Sequence, residues 1–136
     1  MAMSLSELGL TIKRVQARQH RTATEALKPI DVTLVQWDAL RHLHANPGAS
    51  LHDLAVLTFQ TDQAFGTLAA RLEARGLIRR VTGAGRAIRP ELTPEGERVR
   101  AAGQKILDGM LRQHFAPLGE NEREVLGGML QRLLVD

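Results

Sequence analysis

The fold of the chain is decided by the segment TDQAFGTLAARLEARGLIRRVTGAGRAIRPEL, residues 61–92. Its first part carries four apolar residues at the spacing i, i+3, i+4 and i+7, which predicts one buried face of a helix over residues 62–75. These four are Phe65, Leu68, Ala69 and Leu72. The second part, residues 77–92, places short apolar segments on either side of a glycine turn, which predicts a β-hairpin. Pro90 cannot donate to a neighbouring strand, so its strand should be an edge.

A short helix before this segment completes the pattern. Residues 51–57 follow Ser50, whose hydroxyl is spaced to cap a helix together with Asp53. The apolar set of this helix is Leu51, Leu54, Ala55 and Leu57. The turn of residues 58–60 then joins two helices at the spacing of a helix-turn-helix. A polar helix with a cap, followed by a basic hairpin, is typical of a winged helix-turn-helix.

Capping signals also place the remaining helices. The caps are Ser4, Thr33, Thr93 and Gly119. The predicted helices cover residues 4–28, 34–45, 51–57, 62–75, 94–115 and 120–134. The predicted fold class is therefore mainly α with a small β-hairpin wing (α+β).

The composition is that of a globular domain. The chain has 136 residues, of which 43% are apolar and 24% charged, so we expect a single domain over residues 1–136. No apolar run approaches the ~20 residues that span a bilayer, and the first residues lack a basic start followed by an apolar stretch. We expect a cytoplasmic protein with no membrane partner.

Catalytic and metal chemistry has little material in this sequence. Cysteine is absent, which excludes thiol nucleophiles, disulfides and Cys-ligated metals. The serines lie at predicted helix caps or starts, and the glycine turn of residues 83–85 lacks the lysine of a P-loop. His42 and His44 are two apart on a helix and cannot share a metal. We expect no catalytic residue, metal or cofactor; a metal site assembled from distant residues stays open.

The distribution of charge points to a polyanionic partner. The net charge is +3, and arginine, whose planar fork suits phosphate and guanine, supplies 15 of the 18 basic residues. Residues 71–89 carry six arginines and one acid, Glu73, a net +5. A solvated charged surface is the plain alternative, and the local concentration favours a polyanionic partner. With one tryptophan and three phenylalanines as the only aromatic residues, base stacking on rings is improbable.

The order and spacing of several motifs resemble the MarR family of bacterial winged helix-turn-helix transcriptional regulators. The motifs are Leu34-Val35-Gln36-Trp37-Asp38-Ala39-Leu40, Leu54-Ala55, Arg71-Leu72-Glu73-Ala74-Arg75-Gly76-Leu77-Ile78, Arg86 and Leu92-Thr93-Pro94-Glu95-Gly96. Together they extend over nearly the whole chain.

The resemblance implies a homodimer that binds a near-palindromic site in double-stranded DNA. In this arrangement residues 31–92 form the DNA-binding part, and the helices of residues 1–29 and 93–136 intertwine with those of a second copy. The last predicted helix supports a partner independently, because its apolar residues cover more than one narrow face. They are Val125, Leu126, Met129, Leu130, Leu133 and Leu134. The alternative is a terminal helix packed on its own domain.

The resemblance also implies that the start of the fourth helix reads the major groove, with two such helices about 34 Å apart in the dimer. Gln63 is the expected base reader, because its amide can pair with an adenine edge. Thr67 is expected at a phosphate or a thymine methyl group, and Arg71 at guanine or the backbone. For each of them an ordinary solvated helix position is the alternative.

Two further residues are expected at the DNA. Gly66 lies inside the fourth helix, where glycine costs up to ~1 kcal/mol relative to alanine, and its missing side chain would let DNA approach the backbone closely. Tolerated drift is the equal alternative. Arg86, at the tip of the hairpin, is the candidate for insertion into the minor groove, where narrow A·T tracts concentrate negative potential.

Members of the family commonly respond to small anionic or phenolic ligands between the dimer helices and the winged domain. The resemblance therefore implies an effector site near Arg18, Trp37 and Arg41. A core tryptophan and solvent-facing arginines are the plain alternatives. Without cysteine, the peroxide-sensing branch of the family is excluded.

Two functions remain open from the sequence. The first is a ligand-responsive, dimeric DNA-binding regulator. The second is a winged-helix module that contacts proteins without specific DNA reading, and it stays open because no basic residue lies between Asp62 and Ala70.

Overall fold

The computed structural model describes residues 2–82 and 88–135, and these form six α-helices and one two-stranded sheet. The elements are α1 (Leu5–Ala26), α2 (Leu34–Ala45), α3 (Leu51–Leu57), α4 (Asp62–Ala74), β1 (Ile78–Val81), β2 (Arg89–Leu92), α5 (Pro94–His114) and α6 (Glu120–Leu133). The predicted order and type of every element, and with them the predicted fold class, are confirmed.

Reciprocal caps begin three of the helices at the predicted residues. At α1 the Glu7 amide donates to the Ser4 hydroxyl at 3.1 Å, while the Ser4 amide donates to the Glu7 carboxylate at 2.9 Å. The same exchange joins Thr33 with Gln36 at the start of α2, and Ser50 with Asp53 at the start of α3. Each cap satisfies two backbone donors that have no partner within their helix. These hydrogen bonds fix the first residues of α1, α2 and α3.

The end of α1 differs from the prediction. The helix ends at Ala26, and a single turn of 3₁₀ helix, Lys28–Ile30, follows it. Pro29 explains the change, because it has no backbone N–H to continue the α-helical pattern. Asp31 then adopts a left-handed conformation, φ 55°, which turns the chain into α2.

The sheet is an antiparallel pair in which Arg80 lies opposite Pro90 and Arg79 opposite Glu91. With two strands, both are edges, as predicted for the strand of Pro90. The sheet is held to the start of α5, because the Thr93 hydroxyl donates to the Gly76 carbonyl at 2.5 Å and accepts from the Gly96 amide at 3.0 Å. The predicted tip, residues 83–87, lies outside the described residues.

The core lies between α2, α4 and the base of the hairpin, and α1 and α5 close it. The predicted face of α4 is confirmed, since all four of its residues are buried. In α3 the prediction is wrong at one position: Leu57 is 40% exposed. The buried arc of that short helix is centred between Leu54 and Ala55, and Leu57 lies beyond its edge.

The terminal helices carry apolar residues that the single chain leaves uncovered. No residue of α6 is buried, and the exposed fraction reaches 71% at Leu133. The exposed large apolar residues of α1 and the C-terminal segment are Leu5, Leu8, Leu10, Ile12, Val15, Val125, Met129, Leu130, Leu133, Leu134 and Val135. The helix α6 is thus not packed on its own domain. In the described part of the chain, no helix is both long and apolar enough to cross a membrane.

Candidate nucleic-acid interface and ligand cavity

The turn between α3 and α4 fixes how α4 projects from the domain. The Thr58 hydroxyl donates to the Leu54 carbonyl at 2.7 Å, and the backbone N–H of Gln60 donates to the Ala55 carbonyl at 2.8 Å. Thr61 then caps α4, its hydroxyl accepting from the Ala64 amide at 3.0 Å. These bonds set the angle at which the first turn of α4 leaves the core.

A single exposed ridge runs along the outer face of α4. Gln63, Thr67 and Arg71 follow one another at intervals of four residues, so they lie on one side of the helix, and all three are exposed. The Thr67 hydroxyl donates to the Gln63 carbonyl at 3.1 Å, and its oxygen remains able to accept a hydrogen bond. Beside the ridge, Gly66 is half-buried, and a Cβ built on it would meet nothing within 4 Å.

The head of α4 carries an ion pair. His52 Nδ1 of α3 lies 2.8 Å from the Asp62 carboxylate in the first turn of α4. The hydrogen bond and charge of Asp62 raise the pKa of His52 above its ordinary 6.5, with a smaller contribution from Asp53. The hydrogen bonds from Ser50 lower the pKa of Asp53, and the positive charge of Arg89 on β2 acts in the same direction. His52 of α3 and Asp62 of α4 therefore meet at the head of α4, and Arg89 of β2 is close enough to act on the charge of Asp53.

Half of the arginine cluster forms ion pairs with acids, one of which, Glu73, belongs to the same segment. Three of its arginines form ion pairs: Arg75 with Asp31 at 3.7 Å, Arg79 with Glu91 at 3.1 Å and Arg80 with Glu73 at 3.6 Å. Within the described residues Arg71 and Arg89 form no such pair. Arg86 lies outside the described residues. Arg71, in the last turn of α4, and Arg89 on β2 are therefore the arginines of the cluster that form no ion pair within the described residues.

A separate cavity of ≈ 490 Å³ opens between α1, α2, α5 and the helix-turn-helix turn. Trp37 and Arg41 of the predicted effector site both line it. Arg18 is exposed on α1 and is not among the lining residues. Thr58 and Gln60 also line the cavity, so one wall is the turn that sets the angle of α4.

Trp37 is a wall residue that also joins α2 to α5. It is 2% exposed, and its indole Nε1 donates to the Arg100 carbonyl at 3.0 Å. The indole lies directly over Gly103. The Arg41 guanidinium carbon is 5.4 Å from the centre of the ring, within the range of a cation–π contact.

The same part of α5 is tied to the end of α2. Arg100 holds Glu97 through two nitrogens, with Nη2 donating to Oε1 at 2.6 Å, and this lowers the pKa of Glu97. Glu97 also contacts His44 Nδ1 at 3.0 Å. Across residues 2–82 and 88–135, no three His, Cys, Asp or Glu side chains are grouped so that they could hold a metal ion.

Comparison with known proteins gives one consistent result. The MarR family profile matches residues 30–87. The HTH-type transcriptional repressor Rv2887 of Mycobacterium tuberculosis is 28% identical over 128 residues, covering 93% of this chain and 92% of that protein.

Two solved structures of Rv2887 also match. Its complex with DNA is 25% identical with a TM-score of 0.82, covering 98% of this chain and 100% of the other. Its complex with salicylic acid is 27% identical with a TM-score of 0.74, covering 93% and 97% of the two chains.

Proposed function

We propose that the chain is a member of the MarR family of winged helix-turn-helix transcriptional regulators and that it regulates transcription as a homodimer that binds double-stranded DNA. The observation that carries the proposal is the exposed ridge of Gln63, Thr67 and Arg71 on a helix held by a helix-turn-helix turn. The relatives, which are repressors and regulators, do not favour the protein-interaction module. They also give no support to an enzyme.

In this proposal residues 31–92 contact DNA. Gln63 reads a base edge in the major groove, Thr67 contacts a phosphate or thymine methyl, and Arg71 reaches guanine or the backbone. Gly66 allows close approach of the backbone, and Arg86 enters the minor groove. Arg89 joins this set as a phosphate contact, since its charge is unpaired within the described residues and lies near Asp53.

The dimer is formed by residues 1–29 and 93–136. The uncovered apolar surface of α1 and α6 supports this dimer, because a monomer would leave that surface in water. A closed two-fold arrangement buries the same surface on both copies and presents two α4 helices to two half-sites. As a regulator the protein would work in the cytoplasm, where it meets the chromosome.

A small effector in the cavity completes the proposal. Trp37 and Arg41 would contact it directly, whereas Arg18 would reach it only from outside the cavity of its own chain. Since Thr58 and Gln60 belong to the same wall, an occupant touches the turn that orients α4. A shift there changes the separation of the two α4 helices in the dimer.

The test is selection from random genomic fragments at several salt concentrations, followed by sequencing, with the oligomeric state measured by sedimentation. A regulator enriches an inverted repeat whose half-sites are about one DNA turn apart, and its affinity falls steeply with salt. A monomer that enriches no sequence even at low salt would overturn the proposal.

A further inference from the structure

The chemistry of the cavity wall is more specific than a general aromatic site. One part of the wall is apolar and is supplied by Ala23, Leu34, Val35, Leu107, Met110 and Leu111. The polar part is dominated by neutral amides, those of Gln16, Gln19, Gln60 and Gln104, together with Thr58 and His20. Only two lining residues, Asp38 and Arg41, have side chains that are ionised throughout the neutral pH range.

These two charges cancel each other. The Arg41 guanidinium is bound to the Asp38 carboxylate one turn earlier on α2, and Asp38 also contacts His42 Nδ1 at 3.5 Å. Arg41 is thereby held over the Trp37 ring with its charge already compensated. The Asp38 side chain is 27% exposed, so its charge acts on the cavity with limited screening by water.

We propose that Asp38 is a specificity-determining residue that makes this cavity selective for uncharged aromatic ligands carrying amide or hydroxyl groups, over aromatic carboxylates. The inference rests on the proposed effector function. A carboxylate entering the cavity gives up hydration and must either compete with Asp38 for Arg41 or lie beside a like charge. A neutral amide avoids both costs, and the glutamine side chains offer it donors and acceptors.

The experiment compares salicylamide with salicylate, which share the phenol ring and differ by one charge. Titration calorimetry on the full-length dimer gives both affinities at about pH 7.4, where the phenol of salicylamide and the histidine side chains are both largely neutral. Trp37 is the only tryptophan and tyrosine is absent, so a change in its emission, corrected for absorption and emission by the ligand, reports binding near this residue. We expect salicylamide to bind the unmodified protein about tenfold more tightly than salicylate, because only salicylate brings a charge into the cavity.

Two variants move the preference in opposite directions. Asp38→Asn keeps the shape of the side chain and frees the charge of Arg41, so salicylate should gain about tenfold and the preference should disappear or invert. Arg41→Gln leaves Asp38 uncompensated, so salicylate should lose more affinity than salicylamide and the preference for salicylamide should widen. The control is Glu25→Gln, which makes the same charge change on α1 at a residue paired with Lys28 and away from the cavity wall.

Three results would contradict the role of Asp38. Salicylate binding as tightly as salicylamide, failure of both ligands to bind, or an unchanged preference in both cavity variants would each overturn the role of Asp38. A correctly folded control, checked by thermal melting, must keep the preference of the unmodified protein. The selection for operator fragments is run without any ligand, so a protein that enriches an inverted repeat but ignores both compounds refutes this inference alone.

Discussion

The indole of Trp37 lies on Gly103 so closely that a Cβ on Gly103 would overlap Nε1 and Cδ1 of the ring. This contact joins the winged domain to α5, together with the hydrogen bond from Trp37 to the Arg100 carbonyl. Gly103→Ala must therefore displace a buried ring. We expect a loss of about 1–3 kcal/mol in the free energy of unfolding, measured by urea denaturation at fixed protein concentration.

The matched control is Gly109→Ala on the same helix. A Cβ at Gly109 meets nothing within 4 Å, so alanine there should stabilise the protein by up to ~1 kcal/mol through helix propensity. The emission of Trp37 should change in the Gly103 variant and stay constant in the Gly109 variant. Equal stability of the two variants would refute the close contact.

Gly66→Ala tests whether the glycine of α4 serves DNA binding or is tolerated drift. The space around Gly66 is open in the free protein, so alanine should raise the free energy of unfolding by up to ~1 kcal/mol. If DNA approaches the backbone there, the same variant must bind the selected operator more weakly, measured by fluorescence anisotropy. Stronger folding with unchanged affinity would remove any functional role for Gly66.

The sequence could predict the features that depend on residues close together in the chain. The capping boxes at Ser4, Thr33 and Ser50 use residues three apart, and the face of α4 follows from its own periodicity, so both could be predicted without a tertiary structure. The pairing of Arg79 with Glu91 and of Arg75 with Asp31 joins residues 12 or more positions apart. No local pattern carries that information, so the sequence overstated the free charge of the arginine cluster.

Most of the cavity wall could not be predicted from the sequence for the same reason. Trp37 and Arg41 could be placed near an effector through the family resemblance, but the polar wall comes from three helices and a turn that meet only in the folded chain. The exposed position of Arg18 on α1 and the overlap of Trp37 with Gly103 also depend on how helices cross.

Arg71→Ala and Arg89→Ala test the assignment of the free charges. Each phosphate contact contributes about −0.9 to the slope of log affinity against log salt, so losing one contact per protomer should reduce the slope of the dimer by about 1.8. Arg79→Ala is the control on the same hairpin, because Glu91 already holds its guanidinium. A larger change for Arg79 than for the other two would contradict this assignment.

Operator binding should depend on pH through His52. The pKa of His52 is raised by the hydrogen bond and charge of Asp62, so protonation is favoured in the folded state. The stability that this pair contributes is fully present below 6.5 and is lost as the pH rises through the higher pKa of the folded protein. The same deprotonation removes a positive charge beside α4, so affinity for DNA should fall over this range.

His52→Gln should abolish that part of the pH dependence, measured as operator affinity between about pH 6 and pH 9 at constant ionic strength. Asp62 on α4 and Asp53 on α3 are the charged groups that act on His52, and Arg89 on β2 acts on Asp53; all three are unchanged in this variant. His44→Gln, beside α5 rather than α4, is the control. An identical pH profile for the unmodified protein and the His52 variant would exclude the role of this pair.

Phe59 is the position where the helix-turn-helix turn stores strain. It adopts φ 57°, a left-handed conformation that costs a bulky residue about 1–3 kcal/mol. Its side chain is 98% exposed, so burial of the ring does not offset this cost in the single chain. Phe59→Gly should therefore raise the free energy of unfolding by about 1 kcal/mol, the relief of strain outweighing the greater entropy of the unfolded chain. Phe59→Ala separates backbone from ring, because it removes the aromatic surface but keeps the Cβ that causes the strain; it should give little of the gain. If alanine stabilises as much as glycine, the exposed ring and not the backbone is the source of the instability. A glycine variant less stable than the unmodified protein would exclude the strain assigned to Phe59.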